Sequence, residues 1–371
     1  MDTDALTAGL LQELRAPKPY PAVSLTMPTH RQAPDNAQDA VRLRNLLSEA
    51  ERRLDADPAV SREARAAIKT QLARAIDEVD TRRRLDGLLI LATADEHQIW
   101  LLPRTAPERV VLSDTYLTRN LVAAKALAEP YWALTVASDH ATLWSGTADS
   151  VHQEQTGGFP LTVPQEAPNP QREEQIGDTP STFSDEETRI FLRSVDEKLR
   201  AVLAADPRPV YLVGLAPALA LLDEVGGTTK PAVGRVTKGV PADLSPSGFL
   251  KELEPALGQR RAEAAAEVAA RLDDARGRRA YAGGLDEVWA AVREGRAALV
   301  AVEEQFQQTV RVTDEHLEPV PAGTVGTADG TIREDIVDEL VEAALDSGAD
   351  VVFLADDALA EHGRIAAALR Y

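Results

Sequence analysis

Cysteine is absent from the 371-residue chain, which excludes disulfides, thiolate zinc sites, cysteine nucleophiles and thiol redox roles together. Lysine is scarce, at 7 of 40 basic residues, a coding bias that carries no chemistry. No run approaches the roughly 20 apolar residues needed to span a bilayer, and Asp2 and Asp4 stand where a signal peptide would be basic; a cytoplasmic protein without membrane contact is expected. The six histidines are scattered, with neither HExxH nor a His-carboxylate run at ligand spacing, so no metal and no cofactor is expected. Phosphate loops fail as well: Gly226 to Lys230 has glycine and lysine out of register for a Walker A, and Gly234 to Gly239 lacks GxGxxG. Ser245-Pro246-Ser247-Gly248 lacks the glycine and the strand a nucleophile elbow requires.

What is present is acid. Asp and Glu number 60 against 40 Lys and Arg, a net charge of -20, which argues against general binding to DNA or anionic membranes. The charge is uneven: residues 1–86 are neutral, with 14 of each sign, whereas residues 161–371 carry 38 acidic against 22 basic residues. An RNA-facing surface therefore belongs near the N-terminus. Acidic pairs such as Asp77 with Asp80, Glu173-Glu174 and Asp356-Asp357 read as solvated surface. The length suits two or three domains, and no repeat of fixed period occurs.

Along the chain, Ala22 to Met27 alternates as a strand stopped by Pro28. Leu43, Leu46, Leu47, Ala50 and Leu54 form one face of a helix, whose other face is assigned Arg42, Arg44, Arg52 and Arg53. A second helix, about Ser61 to Arg84, ends in Arg82, Arg83 and Arg84, where cations suit the helix dipole. Strand-like runs at 87–92, 97–102 and 109–112 predict a meander. Tyr131 to Ala137 and Ala141 to Ser145 predict a hairpin with Trp132 and Trp144 in its core, and Gln165 to Ser184 predicts a long loop. A helix from Ser184 to Ala205 leads into the strand Pro209 to Gly214. Pro246 to Arg279 predicts a connector helix, with Pro255 a candidate interruption. The remainder alternates helix and strand, with a last helix ending at Tyr371, and predicts an α/β/α sandwich.

The order of these pieces is more telling than any one of them. The strand YPAVSLTMPTHR (Tyr20 to Arg31), the basic helix VRLRNLLSEAERRL (Val41 to Leu54) and the strand DGLLILA (Asp86 to Ala92) resemble the N-terminal domain of the archaeo-eukaryotic class-1 release factors and their relative Pelota. YWALTVASDHATLWSGT (Tyr131 to Thr147) and PVYLVG resemble their middle domain, and the end of the chain, through LRY, their third. The chain thus resembles the bacterial archaeo-eukaryotic release factor family over nearly its whole length. The resemblance implies a three-domain fold of mixed α/β and α+β class: an N-terminal α+β domain over 1–128, a middle α/β domain over 129–250, and a connector helix with an α/β/α domain over 251–371.

Two motifs of the family are missing. Gly157-Gly158 is followed by Phe159, so the Gly-Gly-Gln that directs water at the peptidyl-tRNA ester does not occur, and Arg44-Asn45-Leu46-Leu47 stands where Asn-Ile-Lys-Ser reads stop codons. The resemblance then implies a tRNA-mimicking, ribosome-associated factor for rescue, quality control or hibernation, without family-type hydrolysis. Its expected RNA contacts are His30, Arg31, Arg42, Arg44, Arg52, Arg53, Arg82, Arg83 and Arg84. The middle-domain loop offers Gln165, Gln171, Arg172, Gln175 and Gly177, and a translational GTPase is a possible partner. Two alternatives are a hydrolase of peptidyl-tRNA or another nucleic acid, working through loop glutamines or the His30-Arg31 turn, and a protein-interaction scaffold that never meets a ribosome.

Overall fold

A computed structural model describes the chain except at residues 2–4, 32–33, 81–84, 128–129, 148–149, 156, 164–181, 240, 242–243, 314–315, 322–323 and 325–329. Three sheet-centred modules follow one another, grouped into two units: Met1–Ala128 with Ala265–Tyr371, and Glu129–Ala264.

The first module runs α1 (Ala8–Arg15), β1 (Ala22–Pro28), a 3-10 turn (Asp35–Gln38), α2 (Asp39–Ala56), α3 (Arg62–Glu78), β2 (Gly87–Ala92), β3 (His97–Leu102), β4 (Arg109–Ser113) and α4 (Arg119–Leu127). Its antiparallel sheet has the order β3-β2-β1-β4. Because side chains alternate along a strand, Val23, Leu25, Leu88 and Ile90 meet Leu46, Leu54, Ile68 and Leu72 of α2 and α3. Leu89 and Leu91 point the other way, into Leu14, Trp100, Tyr116 and Leu121. Ser61 starts α3 by accepting the Ala64 N–H at 3.1 Å. The expected meander is corrected: β4 pairs with β1 rather than β3. Pro103 and Pro107 prevent a tight hairpin, and crossing over buries Val110 and Leu112 against the α2 side.

The second unit contains β5 (Tyr131–Val136), β6 (His140–Gly146), β7 (Val151–Gln153), β8 (Leu161–Thr162), α5 (Thr182–Ala205), β9 (Val210–Gly214), α6 (Ala216–Val225), β10 (Gly234–Thr237) and the first part of α7 (Pro246–Gly277). The expected β5–β6 hairpin is present, and β9 lies parallel to both β5 and β10. Trp132, Leu134 and Leu212 pack under Leu192, Val195 and Leu199 of α5 and Leu222 of α6. The opposite face, with Trp144 and Tyr211, is closed by Phe249 and Leu253 of α7, Trp144 stacking on Phe249 with ring centroids 4.5 Å apart. Pro255 does not interrupt the helix. Its cost of about 3 kcal/mol is offset by burial of Leu253, Ala256 and Leu257 around it, at about 1.5–3 kcal/mol for each large side chain.

From Ala265 onward α7 belongs to the other unit, where it is followed by β11 (Tyr281–Gly283), α8 (Leu285–Arg293), β12 (Ala297–Glu303), β13 (Val310–Val312), β14 (Leu317–Pro319), β15 (Ile332–Arg333), α9 (Ile336–Asp346), β16 (Asp350–Leu354) and β17 (Ile365–Leu369). The main sheet has the order β11-β17-β12-β16, and a small sheet the order β14-β13-β15. Val300 and Val302 face α8 and α9, whereas Leu299 and Ala301 face Val268, Leu272 and Ala275 of α7. This is the α/β/α sandwich expected.

The last helix is corrected. A 3-10 turn (Ala360–His362) and left-handed Gly363 and Arg364 lead into β17, an inner strand between β11 and β12. Alanine favours helix by only tenths of a kcal/mol per residue, less than is gained by burying Ile365, Ala366 and Ala367 completely between two helical layers. Among the described residues no helix is long and apolar enough to cross a membrane.

Candidate nucleic-acid interface

Helix α2 buries Leu43, Leu46, Ala50 and Leu54, which turns Arg42, Arg44 and Arg52 away from the sheet. Each is already engaged. Arg42 lies 3.5 Å from Asp39, and the same buried carboxylate accepts the His30 backbone N–H at 2.9 Å and sits 2.8 Å from its Nδ1. The Arg44 Nε–H donates to the Ala40 carbonyl at 3.2 Å, and Arg52 pairs with Glu49 at 2.5 Å. Arg31 forms a two-pronged pair with Asp86, both contacts at 2.8 Å. Thus His30 and Arg42 share Asp39, while Arg31, Arg44 and Arg52 stand apart from it. The exposed pairs Arg31–Asp86 and Arg52–Glu49 contribute about 0–1 kcal/mol each, so a phosphate could displace those carboxylates at little cost.

Arg53 is a correction to the expected surface set. Its side chain is 8% exposed, its guanidinium is paired with Glu334, and Nη1 also donates to the Val110 carbonyl. Arg82, Arg83 and Arg84 lie outside the described residues, as do Gln165, Gln171, Arg172, Gln175 and Gly177. The expected glycine pair Gly157-Gly158 forms a turn between β7 and β8, both residues with positive φ, against Val202 and Lys198 of α5.

Arg53 belongs to a set of buried charges that residue patterns alone had not singled out. Arg109 and Arg119 converge on Oδ2 of Asp335 at 3.1 and 3.3 Å. Asp338 accepts the backbone N–H groups of Arg119 at 2.7 Å and Thr118 at 3.3 Å, capping α4 from a residue 220 positions away. Glu342, one turn along α9, accepts the Thr118 hydroxyl at 2.5 Å. Arg15 at the end of α1 reaches the Glu342 carbonyl at 3.1 Å and Asp346 at 3.0 Å. Burial, with Asp335 nearby, raises the Asp338 carboxyl well above the usual range; burial, with Asp338 nearby, does the same to Glu342. Arg104, also buried, donates to Glu304 and is pulled down from its ordinary value by desolvation.

Two of the clefts among the described residues offer space. One of about 880 Å³ is lined by Asn45, Glu49 and Arg52 of α2, with Arg109, Gln307 and Gln308; its amides and guanidinium groups suit a polar ligand. The other, about 590 Å³, lies in the second unit at the carboxyl ends of parallel β5 and β9, with Thr135, Ser138, His140 and Leu215 on its walls. The crevice outside the carboxyl ends of strands is where open α/β sheets bind ligands. The His140 ring is held by Asp139 at 2.9 Å. Among the described residues no group of three His, Asp or Glu side chains could hold a metal ion.

No curated protein matches the chain. Among solved structures, the archaeal translation termination factor aRF1 is 19% identical, covering 100% of this chain and 99% of its own at a TM-score of 0.27. Archaeoglobus fulgidus Pelota is 18% identical, with 76% and 79% covered and a TM-score of 0.36. Dom34 of S. cerevisiae, a translation termination-like factor involved in RNA quality control pathways and interacting with Hbs1, is 12% identical, with 75% and 74% covered and a TM-score of 0.40. Residues 130–296 of this chain match the family model described as Bacterial archaeo-eukaryotic release factor family 3, and it is this family that the chain resembles.

Proposed function

We propose that the protein is a ribosome-associated, tRNA-mimicking factor of the release-factor and Pelota type, working in the cytoplasm in rescue, quality control or hibernation. The match of residues 130–296 to a release-factor family carries this reading. Arg42, Arg44 and Arg52 of α2, with Arg31, supply the phosphate contacts, Arg31 and Arg52 giving up exposed carboxylate partners on binding. Because Gly-Gly-Gln occurs nowhere in the sequence, the protein occupies the A site without the family's water-directing glutamine. A translational GTPase would be its delivery partner.

The test is co-sedimentation of the purified protein with vacant and translating bacterial 70S ribosomes at two salt concentrations. The comparison is a variant with Arg42, Arg44 and Arg52 changed to Glu; Arg53 is left intact because its change would disturb folding. Binding that weakens with salt and is lost in the variant supports the proposal, and preference for vacant particles indicates hibernation. Absence of binding to either particle refutes it and leaves the protein-scaffold alternative. Release of labelled peptide from peptidyl-tRNA that is abolished by Gln175→Ala or His30→Ala establishes the hydrolase instead.

A further inference from the structure

Helix α9 lays two carboxylates, one turn apart, into the same dry contact. Asp338 is 2% exposed and the Glu342 side chain 12% exposed. Both bond to Thr118: Asp338 accepts its backbone N–H, and Glu342 its hydroxyl. Thr118 belongs to residues 1–128 and α9 to residues 265–371, so this pair sits on the junction inside the unit.

The surrounding cations are largely committed elsewhere. Arg119 is directed at Asp335 and the Phe306 carbonyl, Arg109 at Asp335, Gln307 and the Glu334 carbonyl, and Arg53 at Glu334. Arg333 faces Asp114 and Glu339. Arg15 approaches the Glu342 carboxylate only to 3.9 Å while bonding Asp346 at 3.0 Å. Two neighbouring carboxylates in a dry site, with Arg15 the one ion-pair partner of Glu342 among the described residues and mainly bonded elsewhere, cannot both ionise cheaply.

We propose that Asp338 and Glu342 form a proton-loaded latch: with one proton shared between them, α9 holds residues 1–128 through Thr118, and loss of that proton to solvent loosens the hold. The direction follows from linkage. With the junction parted, both groups are hydrated and ionise in the ordinary carboxylate range; docked, burial raises both. The docked form therefore binds more protons across the interval between those ranges, and docking weakens as pH climbs through it. The latch does not depend on the ribosomal reading.

Hydrogen exchange of the full-length protein between pH 5.5 and 9 tests this, with each rate divided by the intrinsic rate at that pH. Protection of the Thr118 and Arg119 amides is expected to fall at least tenfold toward pH 9, while strand β9 of the other unit stays unchanged. Glu342→Gln keeps an acceptor for the Thr118 hydroxyl but cannot titrate, so it flattens the profile; Asp346→Asn, at an exposed neighbour, preserves it. If Glu342→Gln fails to fold, Asp338→Asn makes the same comparison. Corrected protection that is flat in the wild-type protein, or an unchanged slope in the neutral variant, overturns the latch.

Discussion

Replacing Arg53 by alanine separates a structural arginine from a surface one. The Arg53 and Glu334 side chains are 8% and 7% exposed, and the Arg53 guanidinium also satisfies the Val110 carbonyl on β4. Truncation removes the guanidinium that the Glu334 carboxylate faces in a dry site. Breaking a buried pair from one side costs about 3–5 kcal/mol, whereas replacing both partners with apolar residues of similar volume is often close to neutral. Arg53→Ala should therefore destabilise the unit by about 3–5 kcal/mol, a large share of the roughly 5–15 kcal/mol that holds a domain together. The double variant Arg53→Met with Glu334→Leu should recover most of the loss. Arg52→Ala, one residue earlier and paired at the surface with Glu49, should cost no more than about 1 kcal/mol. Urea unfolding read by hydrogen exchange on β4, with β9 of the second unit as internal reference, measures all three. A cost below about 1 kcal/mol for Arg53→Ala, or no recovery in the double variant, refutes the buried-pair argument and returns Arg53 to the candidate RNA contacts.

Ser61→Ala removes the side-chain cap of α3 and should cost about 1 kcal/mol, visible as a lower urea midpoint that Ser61→Thr largely restores. In the second unit, a methyl group at Gly146 would run into the Tyr131 ring. Gly146→Ala should destabilise that unit by about 1–3 kcal/mol through overpacking, and the pair Gly146→Ala with Tyr131→Leu should recover part of it in the same denaturation experiment.

The parts of the fold legible in the sequence are those where neighbours along the chain decide the outcome. Leu43, Leu46, Ala50 and Leu54 mark the buried face of α2 at helical spacing, and the turn Ser138-Asp139-His140 joins two strands that pair with each other. Where the partner is remote, the local pattern misleads. Arg53 is assigned outward with Arg52, yet it lies three residues after Ala50 and seven after Leu46, on the buried stripe; the spacing held that information and the charge of the residue obscured it. Glu334, 281 positions away, and the Val110 carbonyl offset the burial, and nothing near Arg53 announces them. In IVDELVEAALD the acids at 338 and 342 look like a solvated face, but Ile336, Val337, Leu340, Val341 and Ala344 are all fully buried, so the helix has apolar contacts on several sides; Asp338 and Glu342 point into protein, while Asp346 stays at the surface. Two acids four positions apart in a helix whose apolar residues are buried on several sides are thus the local sign of a buried charge site. The two segments 1–128 and 265–371 meet through the same kind of remote pairing, Arg53 facing Glu334 and Arg109 and Arg119 facing Asp335.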